Sequence, residues 1–166
     1  MYKLSIMKIT FLTVGKTTFP FVKEGCDIFI KRIKHYTSFE YIEIPELKNT
    51  SSLSKDQIKE KEAELILKNV KNTDKVVLLD ERGKNFSSIE WSKELEKEII
   101  SGTKSVIFIV GGAYGFSKTI YERANGKLSL SSMTFSHQII RVIFLEQLYS
   151  LLRINAHFRF LQPFFL

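Results

Sequence analysis

Residues 106–115 read VIFIVGGAYG, and residues 127–142 read KLSLSSMTFSHQIIRV. The first stretch is a continuous apolar run that stops at a pair of glycines, which is typical of a strand buried on both faces of a covered parallel sheet. Glycines at such a strand end let the backbone turn sharply and approach a ligand closely. The second stretch predicts another strand, a loop and then the longest helix of the chain. Two strand ends that open onto loops therefore predict two walls of one pocket.

Strand and helix patterns alternate along the chain. Apolar runs predict strands at 8–14, 39–44, 75–80, 106–110 and 127–131, and helical spacing of apolar residues predicts helices at 21–36, 54–70, 87–100, 117–124 and 136–154. Residues 81–84 are predicted to leave the third strand as a loop, and the pairs Ser54 with Gln57 and Ser87 with Glu90 match capping boxes. The alternation predicts an α/β fold with a mostly parallel sheet flanked by helices. Without a repeat or a linker, residues 1–166 are predicted to form a single domain.

The composition limits the class of protein. Hydrophobic residues make up 44% and charged residues 26% of the 166 positions, which is ordinary for a soluble globular domain. No apolar run reaches the roughly 18 to 20 residues that a membrane-spanning helix needs. The N-terminus lacks the pattern of a signal peptide. Cys26 is the single cysteine, so we expect no disulfide framework, no cysteine-based metal site and a cytoplasmic location.

Positive charge is concentrated in the two end segments. The net charge is +7, with seven Lys/Arg against two acids in residues 1–36 and six against two in residues 117–166. A nucleic-acid partner is one explanation, and a solubilising surface is the other.

No residue set in the chain defines a known catalytic constellation without further context. The glycine loop at 111–115 is neither a Walker A loop nor a dinucleotide fingerprint, and a simple tight turn is its alternative reading. Asp80 and Glu81 could serve as a base or could be a solvated loop pair. The residues taken alone predict a pocket near Leu79, Gly111 and Leu130, with RNA as one candidate ligand.

The ordered set of motifs is more specific. It comprises KITFLTVGK at 8–16, LDERGK at 79–84, VGGAYG at 110–115, LSLSSMTFSHQIIRV at 128–142 and FLEQLY at 144–149. This set resembles the small bacterial methyltransferase family that modifies N3 of a pseudouridine in 23S ribosomal RNA. That family belongs to the SPOUT class of trefoil-knotted methyltransferases, and the resemblance covers about residues 7–154.

The resemblance implies a C-terminal trefoil knot and a cytoplasmic homodimer that binds S-adenosylmethionine, acts on 23S ribosomal RNA in the ribosome, and uses neither a metal nor a membrane. By motif position, the cofactor-binding residues are Leu79, Gly111, Leu130, Ser131, Ser132, Met133, Thr134 and Phe135. We expect the lysines and arginines of the two end segments to contact RNA phosphates; they include Lys16, Lys23, Arg123 and Arg153.

Two catalytic candidates also follow from the resemblance. Arg141 lies in the matched HQxxRV motif and is a candidate to bind the acceptor nucleotide or its phosphate; the alternative is a helix-surface arginine paired with an acid. His157 is a candidate to replace a histidine of the family's C-terminal tail. That tail usually carries a Tyr-His pair, whereas residues 155–166 of this chain read NAHFRFLQPFFL. A shifted reading frame near Ile154 would produce such a departure.

Three functions remain open at this point. The first is an active ribosomal RNA methyltransferase. The second is a cofactor-binding but catalytically impaired protein that binds RNA or the ribosome, because of the altered tail. The third, a nucleotide-binding protein unrelated to methyl transfer, requires the motif set to be coincidental.

Overall fold

A computed structural model describes the backbone of residues 7–161 and the side chains of residues 7–157. Its elements, in chain order, are β1 (Lys8–Val14), α1 (Pro20–Ile33), β2 (Ser38–Ile44), α2 (Lys55–Leu67), β3 (Lys75–Asn85), α3 (Ser88–Ile100), β4 (Ser105–Val110), α4 (Lys118–Arg123), β5 (Gly126–Ser129) and α5 (Ile139–Leu161). The predicted strand–helix alternation and α/β class are confirmed. The expected knot and the single domain over residues 1–166 stay predictions.

The five strands form one parallel sheet in the order β2-β1-β4-β3-β5. The carboxyl ends of parallel strands lie at one edge of a sheet, so the loops that follow neighbouring strands meet there. Because β4, β3 and β5 are neighbours, the loops that begin near residues 80, 110 and 130 converge although they are far apart in sequence.

Helices cover both faces of the sheet. Phe11 and Phe108 face a core cluster shared with α1, α3 and α5, whereas Leu12 and Ile109 face a second cluster shared with α2 and α4. Phe144 of α5 packs on both phenylalanines, with ring centroids 4.4 Å from Phe11 and 5.0 Å from Phe108. Burial on both faces explains why the central strands β3 and β4 contain continuous apolar runs, whereas β2 at the sheet edge alternates with glutamates.

The prediction that residues 81–84 form a loop is wrong. β3 continues to Asn85 after an irregularity between Leu79 and Lys84, and Lys84 pairs with Leu128 of β5. A Cβ built on Gly83 would lie 2.7 Å from the Leu128 backbone, so a glycine is needed where the two strands pass. The pairing partner is distant in sequence, and therefore no local pattern indicated it.

The last helix differs from its predicted bounds at both ends. α5 begins at Ile139 instead of Ser136, and the Ser136 hydroxyl oxygen accepts a hydrogen bond from the Ile139 N–H at 3.2 Å. It continues past the predicted end at Ile154 to Leu161, the last residue whose backbone is described, because residues 155–161 contain no proline or glycine to interrupt it. The four phenylalanines of this tail lie outside the described side chains.

The helix starts are well encoded locally. Both predicted capping boxes are present, with Ser54 and Gln57 at α2 and with Ser87 and Glu90 at α3.

None of the described helices combines the length and apolar character needed to cross a bilayer.

Candidate active site

A cavity of about 510 Å³ lies at the carboxyl ends of β3, β4 and β5. Its walls come from the segments 79–82, 110–116 and 128–137, together with Tyr121 and Ile140. Seven of the eight predicted cofactor-binding residues line it: Leu79, Gly111, Leu130, Ser131, Met133, Thr134 and Phe135. Ser132 is exposed and does not line the cavity. The structure thus brings together residues from three separate segments at one place, as the strand ends predicted.

The glycine loop forms a compact wall of this cavity. The N–H of Gly115 donates to the carbonyl of Gly112 at 3.1 Å, and Gly115 adopts φ +78°, a backbone conformation that favours glycine. A Cβ built on Gly111 would lie 3.2 Å from the Phe116 ring and 3.3 Å from the Gly115 backbone. The loop is therefore a tight turn that also lines the cavity, so the two interpretations of the sequence are compatible.

Hydrogen bonds hold the opposite wall in shape. The Ser129 hydroxyl donates to the Ser131 carbonyl at 2.8 Å, and the Ser131 hydroxyl oxygen accepts from the Met133 N–H at 2.9 Å. The Thr134 hydroxyl donates to the Glu81 carboxylate at 2.6 Å, which joins the loop after β5 to the second half of β3. Met133 is left 74% exposed as an apolar side chain at the rim.

Asp80 is tied to two neighbours at the base of the cavity. Its carboxylate accepts hydrogen bonds from the Tyr121 hydroxyl and, at 2.8 Å, from the Arg82 N–H. Burial alone would raise the pKa of Asp80, but these hydrogen bonds and the Arg82 charge outweigh burial and hold that pKa below its usual value. Asp80 is therefore an ionised acceptor, which makes it a weak base near neutral pH.

Tyr121 was missed by sequence reasoning. It reaches the cavity from α4, and its hydroxyl oxygen also accepts from the Arg82 guanidinium at 2.8 Å. Burial and the adjacent Asp80 carboxylate raise the pKa of Tyr121, so its hydroxyl keeps its proton. No motif marks this position, because only the packing of α4 beside β3 brings the ring to the cavity.

Arg141 lies beside the cavity wall but does not line it. Its side chain has no exposed surface, and its guanidinium donates to the carbonyls of Val14 at 2.9 Å and Gly15 at 3.0 Å. It also donates to the His137 carbonyl at 2.8 Å and lies 3.4 Å from Glu43. Arg141 is therefore buried and does not lie on the helix surface, where the alternative placed it. It does pair with an acid, Glu43. Its role toward the acceptor stays a prediction, and direct contact would require this network to open.

The same network fastens the loop after β1 to the start of α5. The Gln138 amide donates to the Lys16 carbonyl at 2.9 Å and accepts from the Thr18 N–H at 2.8 Å. Glu43 accepts from the Thr17 N–H at 2.8 Å. Burial would raise the pKa of Glu43, but the hydrogen bonds from Thr17 and Tyr41 and the Arg141 charge lower it. This loop thereby holds a fixed position relative to His137, which lines the cavity.

His157 is not brought to the cavity of its own chain. It is exposed on α5, seventeen residues beyond the lining residue Ile140. At a rise of 1.5 Å per residue, that separation is about 26 Å along the helix. The catalytic role expected for His157 stays a prediction.

A buried carboxylate supports the glycine loop from behind. Glu62 of α2 is 9% exposed, and a Cβ built on Gly112 would lie 2.5 Å from its carboxylate oxygen. Burial and then the charge of Glu46 raise the pKa of Glu62.

Within the described residues no group of three or more potential ligands could hold a metal ion. Cys26 is buried, which raises the pKa of its thiol to about 11.

Comparison with known protein families identifies the class to which this chain belongs. A family model described as "Predicted SPOUT methyltransferase" matches residues 7–160. The chain belongs to this SPOUT methyltransferase family, which confirms the expected class, and as a methyltransferase it uses a methyl donor.

The similar curated proteins carry a more particular name, "Ribosomal RNA large subunit methyltransferase H". The one from Cytophaga hutchinsonii is 49% identical over 143 residues, covering 86% of this chain and 92% of the relative. Those from Flavobacterium johnsoniae and Phocaeicola vulgatus are 50% and 51% identical over 143 residues, covering 86% of this chain and 91% of each relative. A solved structure of an RNA methyltransferase described as belonging to the TrmH family, from Porphyromonas gingivalis, covers 86% of this chain and 59% of its own chain. Its TM-score of 0.41 at 12% identity is too low to support an argument about this chain.

Proposed function

We propose that this methyltransferase transfers the methyl group of S-adenosylmethionine to N3 of a pseudouridine in the 23S ribosomal RNA of the large subunit. The observation that carries the proposal is the cavity of about 510 Å³, where seven residues expected to hold the cofactor meet from three separate segments. The choice of RNA is supported by the relatives near 50% identity and by the name that they bear.

The cavity suits S-adenosylmethionine in size and chemistry. Small-molecule pockets typically enclose about 300 to 1,000 Å³ and combine apolar walls with a few polar groups. Leu79, Leu130 and Phe135 supply apolar walls for an adenine ring, and Gly111 lines the cavity without a side chain. Bound S-adenosylmethionine supplies a methyl group activated by a sulfonium, so the protein has mainly to position the acceptor.

The acceptor nitrogen must lose its proton, and the resulting negative charge needs a stabiliser. Asp80 is held as a carboxylate by Tyr121 and Arg82, which fits a positioning role better than that of a base. Arg82 lines the cavity with a side chain that is 71% exposed, so its guanidinium is available to stabilise an anionic acceptor. Arg141 acts indirectly, because it fixes the loop after β1 against His137.

A homodimer is part of the proposal. Phe21 and Ile28, seven residues apart on α1, are 64% and 43% exposed, and association would bury these two apolar side chains. His157 lies about 26 Å along α5 from its own cavity, so a catalytic role for it requires the cavity of the partner chain. The ribosomal substrate implies a cytoplasmic location, and the basic end segments would contact its phosphates.

The alternative of a cofactor-binding but impaired protein is less well supported. The family match continues to residue 160 and so includes part of the departing tail, and α5 stays helical to Leu161. The alternative remains one outcome of the test.

The test measures transfer of a labelled methyl group from S-adenosylmethionine to ribosomes that lack this modification, with calorimetric cofactor binding in parallel. We expect label in the large-subunit RNA at N3 of one pseudouridine, and none in ribosomes that already carry the modification. Cofactor binding without transfer would favour the impaired protein. Absence of both binding and transfer would overturn the proposal.

A further inference from the structure

A second cleft of about 360 Å³ lies next to the active-site cavity. The two share Arg82 and Tyr121, and the rest of the cleft is formed by residues 124–127. β5 is the last strand of the sheet order, so the cleft lies where the sheet ends. A ligand in the cleft would therefore lie directly beside a molecule in the cavity.

The described residues that line this cleft include two cations and no acid. Arg82 has a side chain 71% exposed, and Lys127 is exposed. The acids adjacent in sequence to Arg82 and Tyr121 are already engaged: Asp80 accepts from Tyr121 and Arg82, Glu81 accepts from Thr134, and Glu122 lies 3.6 Å from Lys118. The cleft therefore presents positive charge outward, which suits an anionic ligand.

The Tyr121 ring holds both cations in place. The Arg82 guanidinium carbon and the Lys127 ammonium nitrogen each lie 5.7 Å from the ring centroid, within cation–π range. The ring is itself anchored, because its hydroxyl donates to Asp80 and its oxygen accepts from Arg82. Cations that are already ordered lose less conformational entropy when a ligand binds.

The rest of the cleft is lined by small or uncharged residues. Ala124, Asn125 and Gly126 line it, and a Cβ built on Gly126 would have no heavy atom within 4 Å. Arg123 does not line the cleft, and its guanidinium is engaged by the carbonyls of Lys71 at 2.8 Å and Asp74 at 2.9 Å and by the Asn125 side chain at 3.3 Å. Open space at Gly126 beside two cations fits a sugar–phosphate chain, which is bulky and uniformly anionic.

We propose that this cleft binds the phosphate backbone of the RNA strand next to the acceptor nucleotide. The inference rests on the proposed function, since the strand is the one whose target base enters the cavity. Enzymes that act on a base must take it out of its stack, and contacts to the flanking nucleotides then hold the strand. Lys127 and Arg82 position that strand through phosphate contacts, which set affinity and register without reading sequence.

The test is the substitution Lys127→Gln, because Lys127 lines the cleft and not the cavity. Binding of the full chain to large-subunit ribosomal RNA is measured over a series of KCl concentrations, with methyl transfer and cofactor binding alongside. We expect RNA affinity to fall about three- to tenfold at low salt. The slope of log affinity against log salt should shrink by about 0.7 to 0.9, the loss of one phosphate contact. Cofactor affinity should not change.

The matched control is Lys118→Gln, which removes the same charge from α4 at a side chain that is 86% exposed and outside the cleft. It should leave the salt slope unchanged. Equal slopes for the wild type, Lys127→Gln and the control would overturn the inference. So would slower methyl transfer by Lys127→Gln with unaltered RNA affinity and slope.

The two proposals fail in different ways. A wild-type chain that binds large-subunit RNA but transfers no methyl group would refute the proposed function, and the salt slopes would still decide whether the cleft binds phosphate. Normal methyl transfer with an unaltered slope for Lys127→Gln would refute the cleft alone.

Discussion

The carboxyl edge of the sheet has an open half and a closed half. Beyond β3, β4 and β5 lies a cavity of about 510 Å³, whereas the space beyond β1 and β2 is filled by the Arg141 side chain, which has no exposed surface. Both halves belong to one parallel sheet with the same strand direction. The edge of a parallel sheet thus becomes a site only where the following loops leave room for a ligand.

The two halves satisfy their backbone groups differently. In the closed half, the carbonyls of Val14 and Gly15 accept hydrogen bonds from the Arg141 guanidinium. In the open half, Gly112 and Gly115 bond to each other and project no side chain into the cavity. The start of α5 serves both halves, because His137 lines the cavity while its carbonyl accepts from Arg141.

The largest effect is expected in the closed half. Arg141→Ala should lower the free energy of unfolding by about 3 to 5 kcal/mol, because it leaves two buried carbonyls and the Glu43 carboxylate without their partner. Chemical denaturation measures this loss. The control is Arg153→Ala, an exposed position on the same helix, which should stay within about 0.5 kcal/mol of the wild type. A fully stable Arg141→Ala that no longer methylates RNA would instead support direct contact with the acceptor.

A loss of cofactor binding is expected in the open half. Gly111→Val should weaken S-adenosylmethionine binding at least about 100-fold, equivalent to about 2.7 kcal/mol, because the new side chain would crowd Phe116 and fill the approach to the backbone. Calorimetry measures the affinity at a temperature where the variant remains folded. The melting temperature is expected to fall as well, because the added Cβ would lie 3.2 Å from the Phe116 ring. Gly126→Ala has open space around its new Cβ and serves as the control. Unaltered affinity in Gly111→Val would place the cofactor elsewhere.

The contribution of Asp80 to the free energy of unfolding depends on pH. At neutral pH, Asp80→Asn should cost about 1 to 2 kcal/mol of unfolding free energy, because it weakens the bonds to Tyr121 and Arg82. The folded-state pKa of Asp80 lies below its ordinary value of 3.8, so the stabilisation is complete above that value and is lost as the pH falls through the folded pKa. Denaturation at several pH values should show the difference between wild type and variant shrinking only in this acid range. A difference that does not vary with pH would mean that the charge of Asp80 contributes nothing.

The smallest effect concerns the rim of the cavity. Met133 is 74% exposed, so Met133→Ala should leave the unfolding free energy within about 0.5 kcal/mol of the wild type. Cofactor affinity should fall about two- to fivefold, since an apolar contact of less than about 1 kcal/mol is removed. Calorimetry measures the cofactor affinity of the variant and the wild type. A stability loss larger than the affinity loss would show that Met133 supports the fold and not the ligand.

Much of the open half was predictable because its signals are local. An apolar strand that ends in glycines, and a strand followed by the SSMTF loop, identify two of the three converging segments without reference to the rest of the chain. The extent of β3 and the contribution of Tyr121 were not predictable. Each depends on an element paired with it in space, β5 in the first case and β3 in the second.

The amino-acid sequence determined the α/β class, the helix caps and the family, because hydrophobic periodicity and motifs depend on residues close together in the chain. The tertiary structure decided which half of the sheet edge is open. It also decided that Arg141 is buried and that His157 lies far from the cavity of its own chain. Arg141 contacts Val14 and Gly15 across more than a hundred residues of chain, and burial of that kind arises only when distant segments pack together.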